Sequence, residues 1–99
     1  MINEDFCCHQ IKKELLFPGE MPGEYFQLLI NVSPINSKKI INALKDYLVC
    51  GVTRKEACMR HGVSPGYFST SLGKLQNLNS VIYEIILLYL NMLVREHDA

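Results

Sequence analysis

The chain has 99 residues, no tryptophan, and ten acidic and ten basic residues, so its formal net charge is zero. About half of the residues are apolar (48%), which is enough for one small globular domain with its own core and excludes a disordered chain. Four cysteines without a C-x-x-C pair are typical of free thiols in a cytoplasmic protein, so we expect no disulfide framework.

The charges are unevenly distributed along the chain. Residues 37–76 carry seven basic and two acidic side chains, whereas the remaining residues carry three basic and eight acidic ones. A basic segment inside a neutral chain fits the electrostatic footprint for a polyanion such as DNA. If charge were the only observation, however, an ordinary solvated surface would be the default interpretation.

The first elements along the chain are an N-terminal arm and a short helix. Residues 1–20 are predicted to be irregular or weakly helical. Pro22 suits a helix start, because the N–H that proline lacks has no partner at that position. The apolar residues that follow predict a short helix ending before "SPIN": Tyr25, Phe26, Leu28, Leu29 and Val32.

A second helix is predicted to begin after Ser37, which is a favourable N-cap. Cys50 and Gly51 are expected to end it. Between them, five apolar residues recur at helical spacing and form one amphipathic stripe: Ile40, Ile41, Leu44, Tyr47 and Leu48.

Two further helices are predicted on either side of a glycine. Thr53 and Glu56 form a capping box at the start of the third helix. Gly62 is expected to stop that helix after about two turns. Ser64 then caps a fourth helix, with Pro65 at its first position.

A long apolar helix from about Ser80 to Glu96 is expected to finish the chain. Its most apolar run, residues 81–94, contains Glu84 and Asn91 and is too short to span a bilayer. No strand pattern is present. The expected fold is therefore all-α, a small helical domain with a central helix-turn-helix and a long apolar C-terminal helix.

The segment 53–77 has the composition of a helix-turn-helix unit within a domain that spans residues 21–99. Ala57 and Cys58 are small where two helices would cross, and Gly62 suits a turn with positive φ. Four apolar residues are expected to point inward: Val63, Phe68, Leu72 and Leu75. The opposite face of the second helix is then expected to carry small, hydroxylic or aromatic residues without an acid: Pro65, Gly66, Tyr67, Ser69 or Thr70, Ser71 and Lys74.

That outer face favours contact with a nucleic acid. Hydroxyl groups and a helix N-terminus bind phosphates, and small side chains allow a close approach. Gly66 and Gly73 each cost about 1 kcal/mol of helix propensity, which a purely structural helix has little reason to carry. Helix–glycine–helix units also occur in domains that bind no DNA, so the pattern alone leaves both interpretations open. Four basic residues flank the unit: Arg54, Lys55, Arg60 and Lys74.

Several motifs resemble the PapB-like regulators of bacterial fimbrial (adhesin) operons. They are "KDYLV" at 45–49, Gly51, "RKE" at 54–56, Cys58, "GYFST" at 66–70 and "LGKL" at 72–75, with "LFPGEM" and "LLI" upstream. The resemblance extends over residues 16–78. It implies an all-helical transcription regulator without enzymatic activity, which binds AT-rich promoter DNA as a homo-oligomer. It also implies that Arg54 and Cys58 are DNA-binding determinants, and Cys58 would act indirectly through packing.

The motifs and the resemblance together predict a set of DNA-binding residues: Arg54, Lys55, Cys58, Arg60, Ser64, Gly66, Tyr67, Ser69, Thr70 and Lys74. We expect duplex DNA to be read chiefly in the minor groove. The second helix of the unit lacks the Arg, Asn and Gln side chains that make bidentate contacts in the major groove.

The main alternative is a helical protein–protein interaction module without direct DNA binding. The last helix is apolar nearly all round, which predicts self-association, with Tyr25 and Phe26 as helpers. An enzyme is not expected, because Ser69 has no recognisable His and Asp partners. The run "CCHQ" at 7–10 is followed by no second ligand pair at zinc spacing, so no metal or cofactor is predicted, and no membrane partner either.

Overall fold

The computed structural model describes residues 17–98, which form four helices and no strand. The all-α prediction is therefore confirmed. Most of the predicted N-terminal arm, including the "CCHQ" run, lies outside the described residues. The helices are α1 (Gly23–Val32), α2 (Lys38–Leu48), α3 (Arg54–His61) and α4 (Pro65–Asp98).

Helix α1 begins after Pro22, as predicted, and buries one narrow face. Its buried residues are Phe26, Leu29 and Ile30. Leu28 and Val32 were expected to share the apolar side but are 66% and 63% exposed. The outward side of α1 therefore also carries apolar surface.

Helix α2 supplies the centre of the core. Three residues of the predicted stripe, Ile40, Leu44 and Leu48, are fully buried together with Ala43, whereas Ile41 and Tyr47 are half-buried. Ser37 occupies the N-cap position, but its side chain makes no capping hydrogen bond. The stripe, and not the cap, therefore accounts for the position of this helix.

The segment before α1 closes the C-terminal end of α2. The backbone N–H groups of Gly19 and Met21 donate to the carbonyl oxygens of Tyr47 and Leu48, both at 3.0 Å. Gly19 has a φ of +72°, and a Cβ at this position would lie 3.0 Å from the Cα of Gly51. Glycine is required there because of both its backbone conformation and this close approach.

The predicted turn signals around α3 are present in the structure. Thr53 Oγ1 accepts a hydrogen bond from the Glu56 N–H at 3.2 Å, which is one half of a capping box. Gly62 has a φ of +63° in the left-handed region. Ser64 Oγ accepts from the Tyr67 N–H at 3.2 Å and starts the next helix. Helix α3 and the first turns of α4 are thus joined at a defined angle by one tight turn.

Helix α4 is a single element of 34 residues, and the expected separate helix from Ser80 does not exist. Asn79 lies inside the core, 1% exposed, and accepts a hydrogen bond from the Tyr25 hydroxyl of α1. A helix of this length extends about 50 Å, which explains the longest dimension of the described chain, 55 Å.

The two ends of α4 differ in burial. Leu72, Leu75 and Tyr83 lie in the core, whereas all residues from Leu88 to Arg95 are exposed. By length and composition alone, the stretch Pro65–Arg95 could cross a membrane, since an 18-residue window has a mean hydropathy of 1.4. The shorter run 81–94, judged too short to span a bilayer, is only part of this stretch.

Candidate nucleic-acid interface

Arg54, the first residue of α3, lies over two aromatic rings. Its guanidinium carbon is 5.7 Å from the ring centroid of Tyr47 and 5.9 Å from that of Phe68. The two rings pack edge-to-face with their centroids 5.5 Å apart. Arg54 Nη1 also donates to Ser69 Oγ at 3.4 Å. These contacts position the guanidinium without neutralising its charge, because neither the aromatic rings nor the hydroxyl carry a negative charge.

A cleft of about 230 Å³ opens beside this arginine, between α3 and the first turns of α4. Cys58 lines the cleft but is only 6% exposed. It therefore packs between the helices, as its small size predicted. The cleft combines an apolar floor with basic side chains. It brings together four of the predicted DNA-binding residues, Arg54, Lys55, Cys58 and Ser69, with Pro65 and Phe68.

The outer face of α4 continues from the cleft along the first three turns. Gly66, Tyr67, Thr70 and Lys74 are exposed there, as predicted. Thr70 Oγ1 donates to the Gly66 carbonyl at 3.0 Å, which leaves the hydroxyl oxygen able to accept a further hydrogen bond. Ser71 was expected on this face, but it is 2% exposed and lies on the core side, so that prediction is wrong.

Nothing in the described residues explains why two positions on α4 are glycine. A Cβ added at Gly66 or Gly73 would meet no atom within 4 Å of the part of the chain that the structure describes. Neither has the positive φ that requires glycine at Gly62. The fold would accept alanine at both positions at a gain in helix propensity. The small surface therefore points to a constraint from outside the described residues.

Arg60 is oriented away from this face and towards acidic partners. Its Nη1 lies 3.7 Å from Asp46 Oδ2, and its Nε lies 3.4 Å from Glu56 Oε1. His61 Nε2 is 2.8 Å from the same Asp46 oxygen. Two carboxylates thus offset the charge of Arg60. The structure does not bring Arg60 into the cleft with Arg54 and Lys55.

Sequence reasoning missed the part of Tyr47 and Asp46 in this region. Tyr47 was assigned only to the apolar stripe of α2, but it is half-buried and supports Arg54. Asp46 anchors the end of α3 through its contacts with Arg60 and His61. Both residues contact partners that are seven or more residues away in sequence, and no local motif predicts such contacts.

Comparison with known proteins identifies the family. The PapB family, described as "Adhesin biosynthesis transcription regulatory protein", matches residues 1–89. The chain belongs to the PapB family. Among its relatives in Escherichia coli, the AFA-III adhesin operon regulatory protein is 48% identical over 75 residues, which cover 76% of this chain and 74% of that protein. The pilus subunit operon regulatory protein PapB is 48% identical over 71 residues, covering 72% and 68%.

A solved structure shows the same architecture. The crystal structure of FocB from E. coli matches with a TM-score of 0.72 and 39% identity, covering 88% of this chain and 99% of FocB. The resemblance seen in the motifs is thus confirmed as membership. PapB-family proteins are transcription regulatory proteins and not enzymes, as predicted.

Proposed function

We propose that this PapB-family protein regulates a fimbrial or adhesin operon by binding duplex DNA directly through the helix-turn-helix formed by α3 and the start of α4. The observation that carries the proposal is Arg54, a cation held over Tyr47 and Phe68. Among the described residues it has no acidic partner, and the cleft beside it is lined by no acid. Family membership supplies the regulatory role, and the cleft supplies the surface.

Each part of the surface has a role that fits a phosphate backbone. Lys55 and Lys74 neutralise phosphates and release counterions. The hydroxyls of Ser64, Ser69 and Thr70 bond phosphate oxygens, and Gly66 allows the duplex to come close. Tyr67 is 50% exposed and offers its ring and hydroxyl to the sugar–phosphate backbone.

Arg54 is the residue best placed to read the minor groove of AT-rich DNA. A helix is about 10–12 Å across and cannot enter an undeformed minor groove about 6 Å wide. A single arginine side chain can, and a narrow A-tract groove attracts it electrostatically. In this arrangement α4 lies against the major groove or the backbone while Arg54 reaches the neighbouring minor groove.

The protein is further proposed to act in the cytoplasm as a homo-oligomer. The end of α4 exposes many large apolar side chains, and linked subunits multiply weak DNA contacts. Of the two helpers that the sequence suggested, Phe26 is buried in its own domain, whereas Tyr25 is half-buried. Phe26 is 2% exposed, and the Tyr25 hydroxyl bonds to Asn79 inside the domain.

Paired charge variants test direct DNA binding. The double variant Arg54→Gln/Lys55→Gln should weaken binding to an AT-rich duplex. It should also reduce the slope of log K against log[salt] by about 1 to 2, because about 0.9 is lost for each phosphate that is no longer neutralised, and Arg54 in the minor groove neutralises phosphates only in part. The matched control Lys38→Gln/Lys39→Gln removes the same charge from α2, outside the cleft, and should change affinity much less. Equal losses in both variants would show non-specific attraction only.

Wild-type protein that shows no salt-dependent duplex binding would contradict the proposal and favour the interaction module. Circular dichroism of every variant should show unchanged helix content, which separates a lost contact from a lost fold.

Inosine substitution tests which groove is read. An inosine·cytosine pair lacks the guanine 2-amino group, so its minor groove resembles that of A·T while its major groove resembles that of G·C. Affinity should survive replacement of A·T by inosine·cytosine and should fall with ordinary G·C. Equal losses of affinity for the two replacements would show that the protein reads the major groove instead.

A further inference from the structure

The distal part of α4 carries an exposed apolar stripe with heptad spacing. Val81, Ile85, Leu88 and Met92 follow one another at intervals of four, three and four residues, and they are 51–63% exposed. At about 100° per residue they share one face of the helix, and the core residues Leu72, Leu75 and Tyr83 lie on the other side. We call these four residues the heptad seam.

We propose that the heptad seam pairs with the same seam of a second copy of this chain, in antiparallel orientation, as a short two-helix coiled coil. This interface deepens the oligomerisation that is part of the proposed function, and its bearing on DNA rests on that function. Apolar residues at alternating spacings of three and four are what knobs-into-holes packing requires. A second copy provides an identical seam, and a two-fold axis makes it self-complementary.

The charges at the two ends of the seam select the orientation. The same spacing continues to Lys74 and Leu78 at one end and to Arg95 at the other. A parallel pair would place Lys74 against Lys74 and Arg95 against Arg95 of the second copy. An antiparallel pair avoids both contacts and sets Arg95 against Leu78.

The antiparallel register also matches the size and flanks of the seam residues. Val81 faces Met92 of the second copy, and Ile85 faces Leu88, so every layer joins two apolar side chains. Glu84 lies beside the seam at the level of Asn91 of the second copy, so no acid faces an acid. The core sides of the two helices point in opposite directions, which leaves room for both domains.

A lipid bilayer is a poorer match for this surface than a second chain. The apolar run 81–94 would extend about 21 Å as a helix, less than the roughly 30 Å hydrocarbon core of a bilayer. It contains Glu84 and Asn91 and is followed by Arg95. Towards its start, Tyr83 is buried against the rest of the domain.

The pairing has a geometric consequence for DNA. The centre of the seam lies between Ile85 and Leu88, about 25 Å along the helix from Thr70. An antiparallel pair therefore separates the two DNA-binding faces by about 50 Å, more than one 34–36 Å turn of duplex. A parallel pair would hold them side by side.

Sedimentation velocity without DNA tests the seam. Leu88→Glu should convert the assembled protein to smaller species at tens of micromolar, because it places a charge in the seam. Val94→Glu is the matched control, since Val94 is 58% exposed against 63% for Leu88 but lies on another face of the helix. It should leave assembly unchanged. Undiminished assembly of Leu88→Glu, or an equal loss in both variants, would overturn the proposal.

Disulfide trapping tests the orientation. Cys7, Cys8 and the exposed Cys50 are first changed to serine. In this background, chains carrying Val81→Cys are mixed with chains carrying Met92→Cys. Mild oxidation should yield the mixed dimer and little of either symmetric dimer. Predominance of symmetric Val81→Cys dimers would establish a parallel pair and contradict the proposal.

Vesicle flotation separates the lipid outcome from self-assembly. With vesicles of mixed zwitterionic and anionic phospholipid, the wild-type protein should remain unbound. If the wild-type protein is a monomer that floats with vesicles, and Leu88→Glu abolishes this flotation, the coiled-coil proposal is overturned. None of these measurements includes DNA, so failure of the seam and failure of DNA binding are distinguishable.

Discussion

The two halves of α4 have opposite surface chemistry, although they form one continuous helix. In residues 65–77 the core side is apolar, and the outer side shows glycines, hydroxyls, Tyr67 and Lys74. In residues 81–94 apolar side chains are exposed on several sides and the only charge is that of Glu84. A polyanion suits the first surface and another apolar surface suits the second.

The continuity of the helix ties the two surfaces together in space. Because no break separates them, the direction of the distal half is fixed by the packing of the proximal half against α1, α2 and α3. A pair formed through the distal half would thus set the distance between the two proposed DNA-binding faces without any further contact.

Matched leucine truncations should produce the largest contrast between the halves. Leu75→Ala empties a site that is fully buried and should destabilise the fold by about 2–5 kcal/mol. Leu88→Ala, at 63% exposure, should cost far less at protein concentrations where the chain is monomeric. Urea denaturation at low protein concentration measures both. Equal losses would mean that the distal half belongs to the core of the same subunit.

Two glycine variants should change stability in opposite directions. Gly62→Ala forces a side chain into a left-handed turn with φ of +63° and should cost about 1–2 kcal/mol. Gly73→Ala lies in open helical surface and should stabilise the fold by up to about 1 kcal/mol. Thermal denaturation followed by circular dichroism compares them. A destabilising Gly73→Ala would show that an internal contact, and not the outer surface, requires that glycine.

The bond between Tyr25 and Asn79 should make a smaller, pH-dependent contribution. Burial raises the pKa of Tyr25, so the stability linked to its proton is present below its usual pKa of about 10 and is lost as the pH rises towards the folded value. Tyr25→Phe should cost about 1 kcal/mol at neutral pH. Its stability should also fall less steeply than that of the wild type above about pH 10. Parallel urea titrations that show identical slopes would exclude this linkage.

The aromatic support of Arg54 should have the smallest effect. Tyr47→Leu keeps an apolar side chain but removes the ring, and it should weaken duplex binding by about twofold to fivefold, as expected for a cation–π contact of about 0.5–1 kcal/mol. Tyr47→Phe retains the ring and is the control. Fluorescence anisotropy with a labelled duplex measures both, and an equal loss in the two variants would assign the effect to the hydroxyl.

Local signals predicted much of this structure, and non-local contacts account for the errors. The Thr53 cap, the Gly62 turn and the α2 stripe depend on neighbours within a few residues, so the sequence displays them. The separate helix expected from Ser80 is instead part of α4, where Asn79 is buried and accepts a hydrogen bond from Tyr25, 54 residues away.

The candidate site shows the same division. The sequence shows directly that this segment is rich in small and basic residues, and this composition predicted Arg54, Lys55 and Ser69 as site residues. That Tyr47 supports Arg54, and that Asp46 engages Arg60, depends on how α2 packs against α3. The inward direction of Ser71 likewise follows from the angle at which α4 meets the core.

Duplex affinity of the Gly66→Ala variant tests the central claim most directly. A Cβ at Gly66 meets no described atom of the domain within 4 Å, so the melting temperature should be unchanged or higher. If this face approaches DNA as closely as we propose, the added methyl group should weaken binding to an AT-rich duplex by about tenfold, or about 1.4 kcal/mol. A folded Gly66→Ala protein that binds the duplex as tightly as the wild type would contradict the account.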